Sequence, residues 1–239
     1  MSELTRASPL RRVGHKGADL IAPGNTRASF DAALAAGVDM IEFDVLPVRW
    51  PADEGTPLVL AHDHEHLTED AISLEEGLDY LASGAFGAVE IDVDLKLPGY
   101  EERVVDALRA RGLIERAIIS SQYMRSLVAI RAFEPRLRLG WSVPRARRDY
   151  TKSRLYLLPA LSALALMRRR LPGLAADHIG AGRVDAVMAH QRLATPALVE
   201  AVHAAGGELY VWTVDDAEQI RRLEAMGADA VITNVPRLF

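Results

Sequence analysis

Three short segments early in the chain each end a run of strand-forming residues with groups able to act on a phosphate. They are Val13-Gly14-His15-Lys16-Gly17, Ile41-Glu42-Phe43-Asp44-Val45 and Val59-Leu60-Ala61-His62-Asp63. Side chains alternate across a strand, so Glu42 and Asp44 face the same side. Two carboxylates one pleat apart and turned inward repel each other unless a cation lies between them. That is an oxygen-ligand arrangement for a hard divalent ion such as Mg2+ or Ca2+. The same pair can also serve to anchor loops or basic side chains, and an isolated histidine at a strand end is more often structural than catalytic. With the imidazoles of His15 and His62 added, the set points to metal-assisted, acid–base cleavage of a phosphoester.

Elements that can hold these groups recur along the chain. Short β-branched, apolar runs at 11–15, 40–45, 88–96, 117–121, 137–143, 186–190, 208–214 and 230–234 read as strands. Stretches of helical period lie between them. Thr26–Ala36 stops at Gly37, Tyr100–Arg111 at Gly112, Thr195–Ala205 at Gly206 and Ala217–Met226 at Gly227. A helix closed by glycine and followed by a strand is how a βα unit reads in sequence. Eight such units predict a (β/α)8 barrel over residues 1–239 as a single domain, with its active site at the C-terminal ends of the strands. A doubly wound sheet is the alternative, but no glycine-rich nucleotide fingerprint follows the first strand.

Two pieces fall outside the repeat. Residues 46–71 form an excursion after strand 2, with a short strand-like run, Leu58–Ala61, that delivers His62. Residues 145–172, after strand 6, form a basic helical insertion. Eight basic residues and one acid flank the apolar stretch Leu155–Met167, giving this piece +7 against −12 for the remainder. Such a helix could lie on an anionic membrane or pack on the barrel rim with its arginines solvated.

Composition narrows the function. A chain of 239 residues, 49% hydrophobic and 26% charged, has the balance of a globular protein with a sizeable core. Its formal charge of −5 gives no electrostatic reason to expect nucleic-acid binding. No cysteine is present, which excludes disulfides, thiolate nucleophiles and thiolate metal sites. Met1 to Leu10 lacks the apolar core of a secretory signal, and no run is long enough to span a bilayer. A cytoplasmic protein is expected, with possible peripheral contact at the inner membrane face through residues 145–172.

The motifs in their order resemble those of the glycerophosphodiester phosphodiesterases, within the phosphatidylinositol-phospholipase-C-like barrel superfamily. That family's His-Arg-Gly, Pro-Glu-Asn-Thr, Glu-x-Asp and His-Asp are similar to His15-Lys16-Gly17, Pro23-Gly24-Asn25-Thr26, Glu42-Phe43-Asp44 and His62-Asp63. Its Glu-Ile-Lys strand resembles Asp94-Leu95-Lys96, and its closing motifs resemble Trp212-Thr213-Val214-Asp215 and Gly227 to Pro236. The resemblance implies that Glu42, Asp44 and Asp94 hold a divalent cation, Mg2+ or Ca2+. It implies that His15 and His62 flank the phosphate, one taking a proton from water or a neighbouring hydroxyl and one protonating the leaving alcohol. Which does which stays open. Lys16 and Lys96 would add positive charge at the non-bridging oxygens. Asp92 lies on the same face as Asp94 and competes for its role, whereas His64 and His66 read as loop residues. Trp212, Trp141 and Gln122, at later strand ends, are candidates for the substrate pocket.

Three departures from that pattern stand in one site. Lys16 replaces an arginine and loses its two-pronged grip on phosphate. Gly24 replaces a glutamate, and Asp94 replaces a glutamate with a shorter arm. The expected reaction is metal-dependent hydrolysis of a glycerophosphodiester to an alcohol and sn-glycerol 3-phosphate. A lysophospholipase-D-like enzyme on membrane lipid, and a weakened barrel that binds headgroups without turnover, are the rival readings.

Overall fold

The computed structural model describes residues 9–144 and 157–239. Eight parallel strands close into a ring: β1 (Arg11–Gly14), β2 (Met40–Pro47), β4 (Glu90–Leu95), β5 (Ala117–Ser121), β6 (Arg138–Val143), β7 (Ala186–His190), β8 (Glu208–Trp212) and β9 (Ala230–Thr233). Each pairs with its neighbours, and pairing of β1 with both β9 and β2 completes the circuit. This is the (β/α)8 barrel that the alternation of runs predicts.

Helices α1 (Arg27–Ala35), α2 (Leu74–Leu81), α3 (Glu101–Ala110), α4 (Met124–Phe133), α5 (Leu157–Gly180), α6 (Pro196–Ala204) and α7 (Ala217–Met226) lie between the strands in sequence. Helix α1 starts at a capping box, in which Thr26 and Ser29 satisfy each other's backbone N–H groups. Gly37, Gly112, Gly206 and Gly227 all take positive φ just beyond their helices, which is why the glycine punctuation is a reliable stop signal.

Strand parity sorts the core into two parts. Outward-facing Ile41, Phe43, Ile91, Val93 and Leu95 pack under the helices in a large shell. Val13, Met40, Ile118, Met188, Tyr210 and Ile232 fill the barrel interior. Arg11, Glu90, Arg138 and Glu208 plug its floor with ion pairs of 3.0–3.4 Å. Among the described residues these pairs close the lower ends of the strands, opposite the ends that carry the sequence-predicted groups.

The excursion after β2 contains β3 (Leu58–Leu60), which runs antiparallel to the upper part of β2. Strand β1 pairs with β2 only at Met40 and Ile41, so the same edge is free higher up, and β3 takes it from Val45 to Pro47. The antiparallel register brings the chain back down toward the barrel mouth. His62 follows two residues after β3 ends.

The helix expected within the basic segment is α5, which carries the chain from β6 to β7. β6 is the sixth strand of the chain and the fifth stave of the ring. The helix continues through Pro172 to Gly180 because Leu171, Ala175 and Ile179, four residues apart, are buried against the barrel. Its first half is different: Leu161, Leu166 and Met167 are exposed beside exposed Arg168, Arg169 and Arg170. The basic residues expected from Arg145 to Arg154 lie outside the described residues.

Candidate active site

A cavity of about 250 Å³ opens at the C-terminal ends of the strands. His15, Lys16, Glu42, His62, Asp94, Lys96, Gln122 and Trp212 all line it, together with Asp92, Ser120, Ser142, Met188, Thr213 and Ile232. Eight of the ten residues singled out by sequence thus meet at one surface. Asp44 sits just behind the wall, wholly buried. Trp141 is elsewhere. Gly140 faces the Met188 side chain inside the barrel and Ser142 lines the cavity. The pleat therefore turns Trp141 outward, edge-on to the His178 ring of α5 with centroids 4.9 Å apart.

The loop after β1 is folded down onto β2. Lys16 and Gly17 adopt φ of 50° and 84°, and the turn lets the Lys16 N–H donate to Glu42 Oε2 at 2.8 Å. A left-handed lysine costs about 1–3 kcal/mol, held here by the surrounding contacts. Asn25, also left-handed at φ 60°, clamps Asp44 from both sides. Its Nδ2 donates to Asp44 Oδ2 and its Oδ1 accepts from the Asp44 N–H, each at 3.0 Å. The sequence marks Asn25 only as part of a motif, and its role emerges from this contact.

Gly24 explains itself structurally. Its N–H donates to Asp19 Oδ1 at 2.9 Å, and Asp19 Oδ2 lies 3.2 Å from Lys16 Nζ. A Cβ on residue 24 would stand 2.4 Å from Asp19 Oδ1 and 2.8 Å from Lys16 Cβ. Asp19 therefore occupies the space that a side chain at position 24 would need, and it supplies a carboxylate to Lys16.

Glu42, Asp44 and Asp94 can each present an oxygen within 4.8 Å of the others. Lys96 Nζ lies 2.5 Å from both Asp44 Oδ1 and Asp94 Oδ2. Burial and the adjacent Asp44 charge push the Glu42 carboxyl well above its ordinary range. Burial pushes Asp44 the same way, but Lys96 and His62 outweigh it and hold Asp44 well below. Burial also opposes the Lys96 charge, and the three carboxylates reverse that and raise it. One ammonium thus faces two buried carboxylates and the half-buried Asp94. Asp94 Oδ1 is buried without a hydrogen-bond donor, and Asp44 Oδ1 has only the Lys96 ammonium, out of hydrogen-bond alignment. Orphaned oxygens in an all-carboxylate set fit a hard divalent cation. Asp92, the competitor to Asp94, sits one pleat deeper, accepts from Ser120 Oγ at 2.7 Å and is pushed by burial up to about 7.

The two imidazoles approach from different elements. His15 is half-buried and its Nδ1 lies 2.6 Å from Asn234 Oδ1, while its Nε2 faces Glu42 Oε2 at 3.9 Å. Burial lowers the proton affinity of His15 below the ordinary imidazole value, with Asp44 and Asn234 opposing the shift. His62 is half-exposed and places Nδ1 3.3 Å from Asp44 Oδ2. Trp212 walls the opposite side, with its N–H donating to the Met188 carbonyl at 2.7 Å. His64 and His66 are loop residues, bonded to the Pro47 carbonyl and to Asp63.

Groups of this kind at the C-terminal mouth of a parallel barrel define the class: the protein is a hydrolase of phosphoric diesters. It belongs to the glycerophosphoryl diester phosphodiesterase family, whose model matches residues 89–238. It is 25% identical over 259 residues to a glycerophosphodiester phosphodiesterase of Caldanaerobacter subterraneus, covering 94% of this chain and 93% of that one. Among solved structures it is similar to a glycerophosphoryl diester phosphodiesterase from Silicibacter pomeroyi. The TM-score is 0.74 at 20% identity, over 98% of this chain and 93% of the other. A phosphodiesterase from Oleispira antarctica, solved in complex with the product sn-glycerol-3-phosphate, has the same fold, with a TM-score of 0.63 at 21% identity. That match covers 95% of this chain and 94% of the other.

Proposed function

We propose that this barrel hydrolyses glycerophosphodiesters to an alcohol and sn-glycerol 3-phosphate, using His15 and His62 as proton carriers and a divalent cation, Mg2+ or Ca2+. The supporting observation is that both imidazoles, Glu42, Asp94 and Lys96 line one cavity above the ion-paired barrel floor. The product bound by the Oleispira antarctica relative supports the same substrate class.

Water attacks phosphorus, and one imidazole takes its proton as the new P–O bond forms. The other gives a proton to the departing alcohol oxygen as the old P–O bond breaks, because an alkoxide is a poor leaving group. Glu42, Asp44 and Asp94 would hold the cation, which would supply positive charge beside the non-bridging oxygens when bound. Lys96 adds charge from the same side, and Lys16 does so from the β1 loop. Trp212 gives an apolar wall for the glycerol or headgroup, with Gln122 beside it.

The exposed apolar first half of α5, flanked by Arg168 to Arg170, favours a second source of substrate, a lipid at a membrane surface. One experiment separates the two. Release of sn-glycerol 3-phosphate is followed from soluble glycerophosphocholine and of its acylated counterpart from lysophosphatidylcholine in anionic vesicles, with EDTA, Mg2+ or Ca2+. Metal-dependent release from the soluble diester is expected, falling at least about a hundredfold in His15→Ala and His62→Ala. Near-native rates in either variant would remove that histidine from the chemistry. Release from vesicles alone would move the reading to lipid, and no release from either would leave a headgroup-binding barrel.

A further inference from the structure

A chain of hydrogen bonds behind His15 settles which of its nitrogens carries a proton. Asp215, in the loop after β8, accepts from Thr233 Oγ1 at 3.0 Å and from the Asn234 N–H at 2.8 Å through Oδ1. Its Oδ2 accepts from Asn234 Nδ2 at 2.7 Å. A carboxylate offers acceptors only, so it must face the NH2 end of the amide. The two ends of an asparagine amide are ambiguous by shape, and here the partner removes the ambiguity. Asn234 Oδ1 is then turned toward His15, and it too can only accept. The 2.6 Å contact therefore requires the proton on His15 Nδ1.

We propose that Asn234 and Asp215 are positioning residues that hold His15 in its Nδ1–H tautomer, leaving the bare Nε2 in the cavity as the base. The assignment of base and acid rests on the phosphodiesterase reading above, whereas the tautomer does not. A neutral imidazole with a bare Nε2 can take a proton there and cannot give one. The attacking water's proton passes to His15 Nε2 as its oxygen bonds to phosphorus. His62 then supplies the proton to the departing alcohol. Exchange with solvent afterwards returns both rings to their starting states.

The geometry gives this pair a purpose beyond loop packing. Asn234 directly follows β9 and His15 directly follows β1, neighbouring staves in register at Gly14 and Thr233. The His15 N–H also donates to the Thr233 carbonyl at 2.8 Å, so backbone and side chain are fixed by the same neighbour. The ring can neither rotate nor exchange tautomer without breaking the contact to Asn234. Holding a proton-transfer group in one orientation is worth rate because a misdirected lone pair cannot reach its proton.

The test is nitrogen NMR on the full chain labelled with 15N-histidine, in EDTA and at a pH where His15 is neutral. The His15 signals are assigned by their loss in His15→Gln. In the wild type, His15 should show a protonated Nδ1 and a bare Nε2. Asn234→Ala should move it to the Nε2–H form or to a mixture, and kcat should fall on the order of tenfold to a hundredfold with KM little changed. Asp215→Asn, which keeps shape but frees the Asn234 amide to turn, should give the same mixture with a smaller loss. Circular dichroism of each variant confirms folding. An Nε2–H signature in the wild type, or an unchanged tautomer in folded Asn234→Ala, would overturn the proposal even if hydrolysis is found. A tautomer as expected in a protein that hydrolyses no diester would instead leave the positioning intact and remove the reaction.

Discussion

Removal of the Lys96 ammonium is the sharpest test of the carboxylate cluster. Lys96→Met keeps most of the side-chain volume and strips the ammonium that lies 2.5 Å from both Asp44 and Asp94. The lysine side chain is 17% exposed and that of Asp44 is fully buried, so solvent screens little of the pairing. Breaking a buried pair by deleting one partner costs about 3–5 kcal/mol, because a charge is left without compensation. In a domain of this size each kcal/mol moves Tm by about 2–4 °C, so a fall of roughly 6–20 °C is expected in EDTA. Proton uptake relieves part of this, since burial and the Asp44 charge already push the Glu42 carboxyl upward, so the fall should be smaller at low pH than at high pH. The assay is thermal unfolding by circular dichroism with EDTA and then with Mg2+ or Ca2+. A cation that binds only the folded state should restore the loss, and its effect should exceed that on the wild type, where Lys96 competes for the same oxygens. A variant within about 2 °C of wild type in EDTA would refute the view that these groups act as one electrostatic unit. So would a cation effect no larger than in the wild type.

Two further outcomes follow from the same cavity. Asp92 is raised by burial from 3.8 to about 7, so the folded protein keeps a proton that the unfolded chain gives up. Its stabilising effect is complete below about pH 3.8 and is lost as pH rises toward 7, up to about 4 kcal/mol in all. Asp92→Asn should therefore stabilise the metal-free protein at pH 8 and change little near pH 4; urea unfolding showing an equal difference at both would contradict this. Glu42→Gln removes one of the three proposed ligand carboxylates, and the Mg2+ or Ca2+ concentration for half-maximal turnover should rise about tenfold or more, as ligand-set losses usually do. A titration that overlays on the wild type would exclude Glu42 from the ligand set.

Much of the barrel is written locally, and that is why it can be read. Parity along β2 alone places Glu42 and Asp44 inside and Phe43 outside. The stops at Gly37, Gly112, Gly206 and Gly227 need nothing beyond the left-handed backbone each residue adopts. Contacts between distant parts of the chain are not written this way. The Asn234 amide meets His15 across 219 residues, and no spacing rule reaches that far. Trp141 fails for a related reason: which side of β6 faces inward depends on register against β7, where Gly140 makes room for Met188. Helix α5 outruns its expected end because Leu171, Ala175 and Ile179 find a barrel surface that compensates for Pro172. Asn25 shows the middle case, where the motif marks a position but gives no partner.

The fit of Asp19 into the space beside Gly24 also bears on how this chain can change by mutation. A glutamate placed at position 24 sets its Cβ 2.4 Å from Asp19 Oδ1 and 2.8 Å from Lys16 Cβ, so one of these neighbours must move. Trimming Asp19 first leaves Lys16 without its partner and the Gly24 N–H without its acceptor. Neither order of two single steps avoids a damaged intermediate. The pair Asp19 and Gly24 therefore moves as one unit of variation, and a library that mutates one position at a time will find both intolerant while the double exchange remains open.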